Sequence, residues 1–139
     1  MGTRPLGYPK AHHLKSRIAI DRVFEVGDVV KSFPFLVRCM PTELPVPTQL
    51  MISVPKRRFK RAVDRNRVKR WVREAWRLER SPLESALLLR DEQWAIVLIF
   101  VGNEMPDWGV CHAAMKKLVR RLNGHVANGH AAKKPEEHG

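Results

Sequence analysis

A continuous apolar run at residues 94–101, Trp-Ala-Ile-Val-Leu-Ile-Phe-Val, is the feature that most constrains the fold of this chain. The run is far too short for a membrane-spanning helix, and its β-branched residues together with the following Gly102 favour a strand. Because both faces of such a strand would be apolar, we expect it to lie at the centre of a sheet that is covered on both sides. The rest of the chain must therefore supply helices or further strands that cover both faces of this sheet.

Shorter periodic segments predict the other elements. Alternating apolar residues at 33–40 and 49–54 predict two further strands. Apolar residues at helical spacing predict a first helix over residues 16–26 and a last helix over 107–122, and Ser81 followed by proline is typical of a helix start. Together with a basic helix between the second and third of these strands, the pattern predicts an α+β fold with one sheet.

A length of 139 residues is sufficient for one domain with a modest core. We expect residues 1–15 to form a flexible arm, residues 16–123 the folded domain, and the polar residues 124–139 a disordered tail. The chain shows no apolar signal region and no membrane-spanning run, so the cytoplasm is the expected compartment. In that reducing environment Cys39 and Cys111 are expected to be buried free thiols.

The positive charge of the chain is concentrated in one segment. Lys and Arg number 26 against 14 Asp and Glu, a formal net charge of +12, and residues 56–80 alone contain twelve bases and three acids. This cluster indicates a polyanionic partner, and it favours nucleic acid over an acidic membrane surface. Nine of the twelve bases are arginine, whose guanidinium group binds phosphate through two hydrogen bonds and stacks on bases.

Residues 61–79 form an amphipathic helix when they are placed at about 100° per residue. The side that can dock on the sheet carries Val68, Trp71, Val72, Ala75 and Leu78. The opposite arc, about 140° wide, is basic, and a basic loop precedes the helix. The predicted RNA-binding residues are Lys56, Arg57, Arg58, Lys60, Arg61, Arg65, Asn66, Arg67, Lys69, Arg70, Arg73 and Arg77.

Residues 64–77 resemble the signature of bacterial ribonuclease P proteins, an Arg-Asn-Arg core followed by a hydrophobic residue, Lys-Arg and an Arg-Glu-Ala-aromatic ending. The flanks agree, since Ser-Val-Pro-Lys at 53–56 is similar to the family's entry into this helix and Leu-Lys-Ser at 14–16 resembles the start of its first helix. The resemblance covers residues 14–122. It implies a single-domain αβββαβα sandwich like the second domain of ribosomal protein S5, with one sheet packed by helices.

The resemblance also implies a function. The chain is expected to be the accessory protein subunit of ribonuclease P, an endoribonuclease whose catalytic RNA removes the 5′ leader of precursor tRNA. The expected partners are that RNA and precursor tRNA, with one monomeric protein per RNA, no membrane, and Mg²⁺ held mainly by the RNA. A cleft between the first helix and the sheet would receive the leader. Its residues would be Ile20, Phe24, Phe35, Val37 and Arg38, depending on the register of the strand.

Several alternatives remain open at this level. Phe24 and Phe35 could equally pack in the core, and the basic arc could be a solvated helix face. A ribosomal or general RNA-binding protein without a role in cleavage would share the charge, and a membrane-surface or calmodulin-target helix would share the amphipathic pattern. The six histidines form no metal or catalytic-triad pattern with cysteine or aspartate, so neither a catalytic residue nor a metal ligand is predicted on the protein.

Overall fold

The computed structural model describes residues 10–128, which form one four-stranded sheet with helices on both faces. After a single 3₁₀ turn at Lys10–His12, the elements are α1 (Arg17–Val26), β1 (Asp28–Ser32), β2 (Phe35–Pro41), β3 (Thr48–Ser53), α2 (Ala62–Glu79), α3 (Ser81–Arg90), β4 (Trp94–Phe100) and α4 (Trp108–Asn128). The strand order is β1-β2-β4-β3, in which β3 and β4 are parallel and the other neighbours antiparallel. Over this part of the chain, no helix is both long and apolar enough to cross a membrane.

The predicted central strand is β4. It lies between β2 and β3, and all of its residues are buried except Ile99, which is partly exposed. The structure follows the implied αβββαβα order and adds one helix, α3. Helix α3 follows α2 directly, at the Ser81-Pro82 start that the sequence indicated. Strand β1 has no clear sequence signal, since buried Asp28 and Ser32 break its apolar alternation, and the resemblance alone implied a third strand there.

The sheet separates two cores of unequal size. The larger core lies under α2, α3 and α4 and contains large β4 side chains, among them Leu98 and Phe100. The smaller core lies under α1, where β4 presents Ala95 and Val97 to Val23. Because successive side chains of a strand point to opposite faces, the small residues fall on the face that a single helix covers. Cys39 and Cys111 are free and buried in the larger core, and burial raises the pKa of the thiols to about 12 and about 11 respectively.

The folded part is longer at both ends than the predicted range of 16–123. Leu14 is buried, and its N–H donates to the Leu50 carbonyl at 3.0 Å, which places the end of the predicted arm against β3. Helix α4 continues past Gly124, which faces open space, because Val126 is buried and His125 Nε2 lies 2.7 Å from an Asp28 carboxylate oxygen. The rest of the predicted arm and tail, 1–9 and 129–139, lies outside the described residues.

Truncation tests the role of this last helical turn. A chain that ends after Gly124 is expected to lose about 2–4 kcal/mol in free energy of unfolding, because it loses the burial of Val126 and the contacts of His125 with Asp28 and Trp94. A chain that ends after Asn128 keeps them and serves as the control. Urea denaturation measures both. Equal stability of the two chains would mean that the last turn of α4 does not contribute.

Candidate nucleic-acid interface

The apolar side of α2 faces the larger core. Val68, Val72, Ala75 and Trp76 are buried, whereas Leu78, which was expected to dock, is 47% exposed. The buried arc is shifted towards Trp76 because α2 packs on α4 as well as on β3. A membrane-surface helix would need this apolar side free, so the packing of α2 speaks against that alternative.

The basic loop before α2 is anchored at two points. The ring of Phe59 packs on Phe100 of β4 with centroids 5.6 Å apart, and the guanidinium of Arg58 donates to the side-chain oxygen of Asn103. The first contact joins the loop to the end of β4, and the second joins it to the segment that follows β4. The neighbouring basic side chains, Lys56, Arg57, Lys60 and Arg61, are exposed.

Two predicted RNA-binding arginines on α2 are instead engaged within the protein. One terminal nitrogen of Arg65 donates to the carbonyls of Phe59 and Lys60, both at 2.8 Å, so this side chain fixes the loop. Arg77 forms an ion pair with Glu74 at 2.6 Å, and its hydrogen bond lowers the pKa of the Glu74 carboxyl. Arg58, Arg65 and Arg77 therefore hold the loop and helix in place, and their side chains are already bonded within the protein.

The remaining basic side chains form a surface of concentrated positive charge. Within residues 10–128, no carboxylate pairs with these side chains, and Asn66 is exposed among them. Lys69 and Arg73 line a depression of about 170 Å³ between the N-terminal segment and β3. We call this set the α2 surface. It comprises Lys56, Arg57, Lys60, Arg61, Asn66, Arg67, Lys69, Arg70 and Arg73.

The α1 face of the sheet, where the cleft is predicted, is opposite α2, α3 and α4, and two of the predicted cleft residues do not lie on it. Phe35 and Val37 are 1% and 0% exposed and point into the larger core. Alternation along β2 puts Leu36 and Arg38 on the α1 face instead. The sequence left the register open, and burial of Phe35 beside Phe100 decides it.

Helix α1 leaves one end of this face uncovered. It packs over β4 and β2, where Ile20 contacts the smaller core, so the predicted cleft residue Ile20 serves mainly in packing. Beyond α1, one row of paired residues crosses the whole sheet and is only partly covered. We call this row the cleft floor. It consists of Lys31, Leu36, Ile99 and Ser53.

Phe24 and Arg38 form the rim of the cleft at α1. Phe24 is 43% exposed, and the guanidinium carbon of Arg38 lies 5.9 Å from the centre of its ring. Arg38 also donates to the carbonyls of Phe24 at 2.7 Å and Val23 at 3.4 Å, in the last turn of α1. The Val23 carbonyl also accepts from the Gly27 N–H at the end of the helix, so the bond to Phe24 is the one that serves a carbonyl of the last turn. Arg38 thereby stabilises the end of α1 and holds Phe24 at the cleft.

Replacing Arg38 tests this stabilising contact. Arg38→Met keeps much of the aliphatic stem and removes both hydrogen bonds, so we expect the free energy of unfolding to fall by about 1–2 kcal/mol. Arg22→Met, on the exposed side of α1, is the control and should change stability by less than about 0.5 kcal/mol. Denaturant unfolding compares them. If the two variants match, the contact of Arg38 with α1 does not stabilise the helix.

Comparison with known proteins identifies the family. The family model described as Ribonuclease P matches residues 8–123. The chain belongs to the ribonuclease P protein family. A ribonuclease P protein component of Porphyromonas gingivalis is 37% identical over 122 residues, which cover 86% of this chain and 89% of that protein. The component of Chlorobaculum tepidum is 36% identical over 85 residues, covering 57% and 54% respectively.

Solved ribonuclease P proteins share the fold. The Staphylococcus aureus RNase P protein matches with a TM-score of 0.65 at 21% identity, over 80% of this chain and 94% of that chain. The Thermotoga maritima RNase P protein matches with a TM-score of 0.58 at 24% identity, over 78% and 96% respectively. These likenesses confirm the predicted α+β class, with one sheet packed by helices.

Two histidines of this ribonuclease P protein join structural elements. His112 lies 2.6 Å from Glu79 and stacks on Trp108, and His125 lies 2.7 Å from Asp28. Each pair fastens α4 to a neighbouring element. Between residues 10 and 128, no three His, Cys, Asp or Glu side chains form a group that could hold a metal ion.

Sequence reasoning missed all four residues of the cleft floor, Ser53 at the β3 edge included. Leu36 and Ile99 are its apolar centre, and Lys31 closes it at the β1 edge. The signal for Leu36 was present, because a strand that buries Phe35 and Val37 must turn Leu36 to the other face. Ile99 was hidden in an unbroken apolar run, where alternation cannot be read.

Proposed function

We propose that this chain is the protein subunit of ribonuclease P and assists a catalytic RNA in removing the 5′ leader of precursor tRNA. The observation that carries the proposal is a family match over residues 8–123 in a chain whose α2 surface presents unpaired arginine and lysine side chains. The RNA subunit performs the cleavage, so the protein acts as an accessory subunit. We place the complex in the cytoplasm, with one protein monomer per RNA.

The α2 surface is proposed to bind the catalytic RNA. Its side chains lie along a helix and an anchored loop, so little backbone conformational entropy is lost when they meet phosphates. Each phosphate that they neutralise releases counterions and adds about 0.7–0.9 to the salt slope of binding. By lowering repulsion where substrate and RNA meet, this surface would reduce the Mg²⁺ concentration that cleavage requires.

The cleft is proposed to bind the single-stranded leader. Its centre, Leu36 and Ile99, is apolar and partly exposed, and Phe24 stands at its rim. Such side chains can contact the faces of bases without reading their identity. The floor ends at Ser53 on the β3 edge, and the adjoining β3 residues Met51 and Ile52 line a depression together with Lys69 and Arg73. A strand bound in the cleft would therefore begin beside the proposed RNA contact.

Magnesium enters this proposal through the RNA. Mg²⁺ prefers oxygen ligands and is commonly held by a few carboxylates together with phosphates and water. The residues described here, 10–128, bring no group of three acidic, histidine or cysteine side chains together, so they do not fit a protein-held ion. We therefore assign the Mg²⁺ ligands mainly to RNA, and no step of the proposal needs a metal bound by the protein.

Cleavage of precursor tRNA at low Mg²⁺, with and without the protein, tests the proposal. We expect the cognate catalytic RNA to cut only when the protein is present and to leave a 5′ phosphate on the mature tRNA. Tight RNA binding with no gain in cleavage at any Mg²⁺ concentration would contradict the proposal. That result would favour a ribosomal or general RNA-binding role.

A further inference from the structure

Helix α4 carries a second basic surface, away from α2. Its 21 residues include four exposed bases and no acid. Within the described part of the chain, no carboxylate pairs with these four side chains. They are Lys116, Lys117, Arg120 and Arg121.

These four side chains form two rows on the helix. Lys117 and Arg121 are four residues apart and lie one above the other, while Lys116 and Arg120 form a parallel row about 100° away. The first row faces the edge of the sheet, because the Arg121 guanidinium donates to the backbone carbonyl of Lys31 in β1. The second row is equally exposed but lies away from that edge.

Strand β1 connects this row to the cleft floor. Burial alternates along β1, so the Lys31 side chain points to the α1 face, where it is exposed beside Leu36. Lys31 thus ends the cleft floor at one edge of the sheet, and Lys117 with Arg121 continues the positive charge around that edge. The α2 surface lies at the other edge, beside β3.

We propose that Lys31, Lys117 and Arg121 form a second phosphate-binding site, which holds the part of the 5′ leader that has crossed the sheet. This inference rests on the proposed function. Three strand spacings separate β1 from β3, a distance of about 14 Å. A leader that starts beside the α2 surface reaches the β1 edge only if it is long enough to span the floor, so the site acts on long leaders alone.

A single strand of RNA fits this path better than a folded partner. The three cations lie in line with a narrow apolar floor, which matches a backbone with phosphates at regular intervals and bases turned towards Leu36 and Ile99. The duplex parts of the catalytic RNA present the same phosphates, but their bases are paired and do not need the apolar floor. The phosphate source is therefore assigned to the leader.

The test compares two double variants of the same charge. Lys31→Gln with Lys117→Gln removes two cations of the site and keeps Arg121, which bonds the backbone of β1. Lys116→Gln with Arg120→Gln removes two cations from the other row of α4. Each protein is assembled with the catalytic RNA, and Kd is measured for mature tRNA and for precursor tRNAs that differ only in leader length.

The site variant is expected to bind the long-leader substrate about three- to tenfold more weakly, with a salt slope lower by about 0.7 per lost contact. Its affinity for mature tRNA and for a leader too short to span the floor should equal that of the wild type. The control variant should bind every substrate as tightly as the wild type does. The thermal unfolding midpoints of the two variants should agree, which shows that a difference in binding does not come from unfolding.

Two results would overturn the inference. Unchanged affinity of the site variant for long leaders would show that the β1 edge binds no leader phosphate. Equal weakening for all substrates, together with weaker binding of the catalytic RNA alone, would assign these cations to the RNA subunit instead. Failure of the proposed function looks different, since the wild-type complex itself would then not distinguish precursor tRNA from mature tRNA.

Discussion

Replacing Arg67, Arg70 and Arg73 together by glutamine is expected to weaken binding of the catalytic RNA about one hundredfold at physiological salt. Each of these side chains lies on the α2 surface without a carboxylate partner among residues 10–128. A phosphate contact contributes about 0.7–0.9 to the salt slope, which corresponds to about fivefold in affinity between 0.15 M and 1 M salt. Three such contacts multiply to about one hundredfold, and the Mg²⁺ concentration needed for cleavage should rise in parallel.

A matched variant separates position from charge. Arg90→Gln, Lys116→Gln and Arg120→Gln remove the same number of positive charges from α3 and from the row of α4 that faces away from the sheet edge. Filter binding over a range of salt concentrations should show that the RNA affinity depends less steeply on salt for the α2 variant, whereas the matched variant keeps the slope of the wild type. If both triple variants lose affinity equally, net charge attracts the RNA and the α2 surface has no special role.

Arg65 is left out of this variant for a structural reason. Its guanidinium holds the carbonyls of Phe59 and Lys60, so its replacement would release the loop as well as remove a charge. A loss of RNA affinity in Arg65→Gln could not be assigned to a phosphate contact. Within residues 10–128, the side chains of the three chosen arginines donate to none of the loop carbonyls, so replacing them removes charge without releasing the loop.

Phe35→Ala and Phe24→Ala are expected to differ sharply, although the sequence gives both residues the same two interpretations. Phe35 is 1% exposed and contacts Phe100 edge-on in the larger core, so its loss should lower the free energy of unfolding by about 3–5 kcal/mol. Phe24 is 43% exposed at the cleft rim, and its loss should lower stability by less than about 1.5 kcal/mol. Urea denaturation measures both values.

The leader gives Phe24→Ala a second expected effect. If a base stacks on this ring, the variant complex should bind leader-bearing tRNA about 5- to 150-fold more weakly, since base–aromatic stacking contributes about 1–3 kcal/mol. Mature tRNA, which has no leader, should bind as it does to the wild type. Equal weakening for both RNAs would show that Phe24 only packs against Arg38 and α1.

The α+β class and most elements were readable from the sequence because each depends on local periodicity. The unbroken run at 94–101 required a covered central strand, and β4 occupies that position. Valines at helical spacing located the buried side of α2 for the same reason. The buried residues Leu14 and Val126 lie outside the predicted bounds of 16 and 123, because both are held by distant parts of the chain that no local window contains.

The candidate surfaces were readable only in outline. Charge density pointed to the segment that bears the α2 surface, but the sequence could not show that Arg58, Arg65 and Arg77 bond Asn103, loop carbonyls and Glu74 instead of lying free. These contacts depend on where the partners lie in the folded chain. An arginine carries the same charge whether it is bonded within the protein or not, so the sequence does not distinguish the two cases. Four bases on α4 passed unnoticed because they are few beside the twelve at 56–80.

Motif, periodicity and charge are properties of neighbouring residues, so they were sufficient to assign the family, the layered α+β architecture and the position of the main basic helix. The tertiary structure alone decided which face of β2 lines the cleft, which arginines remain free, and that the floor ends at Lys31 beside Arg121. Those features depend on strand register and helix packing. Both are set by contacts between residues far apart in the chain, where burial of one side chain fixes the direction of its neighbours.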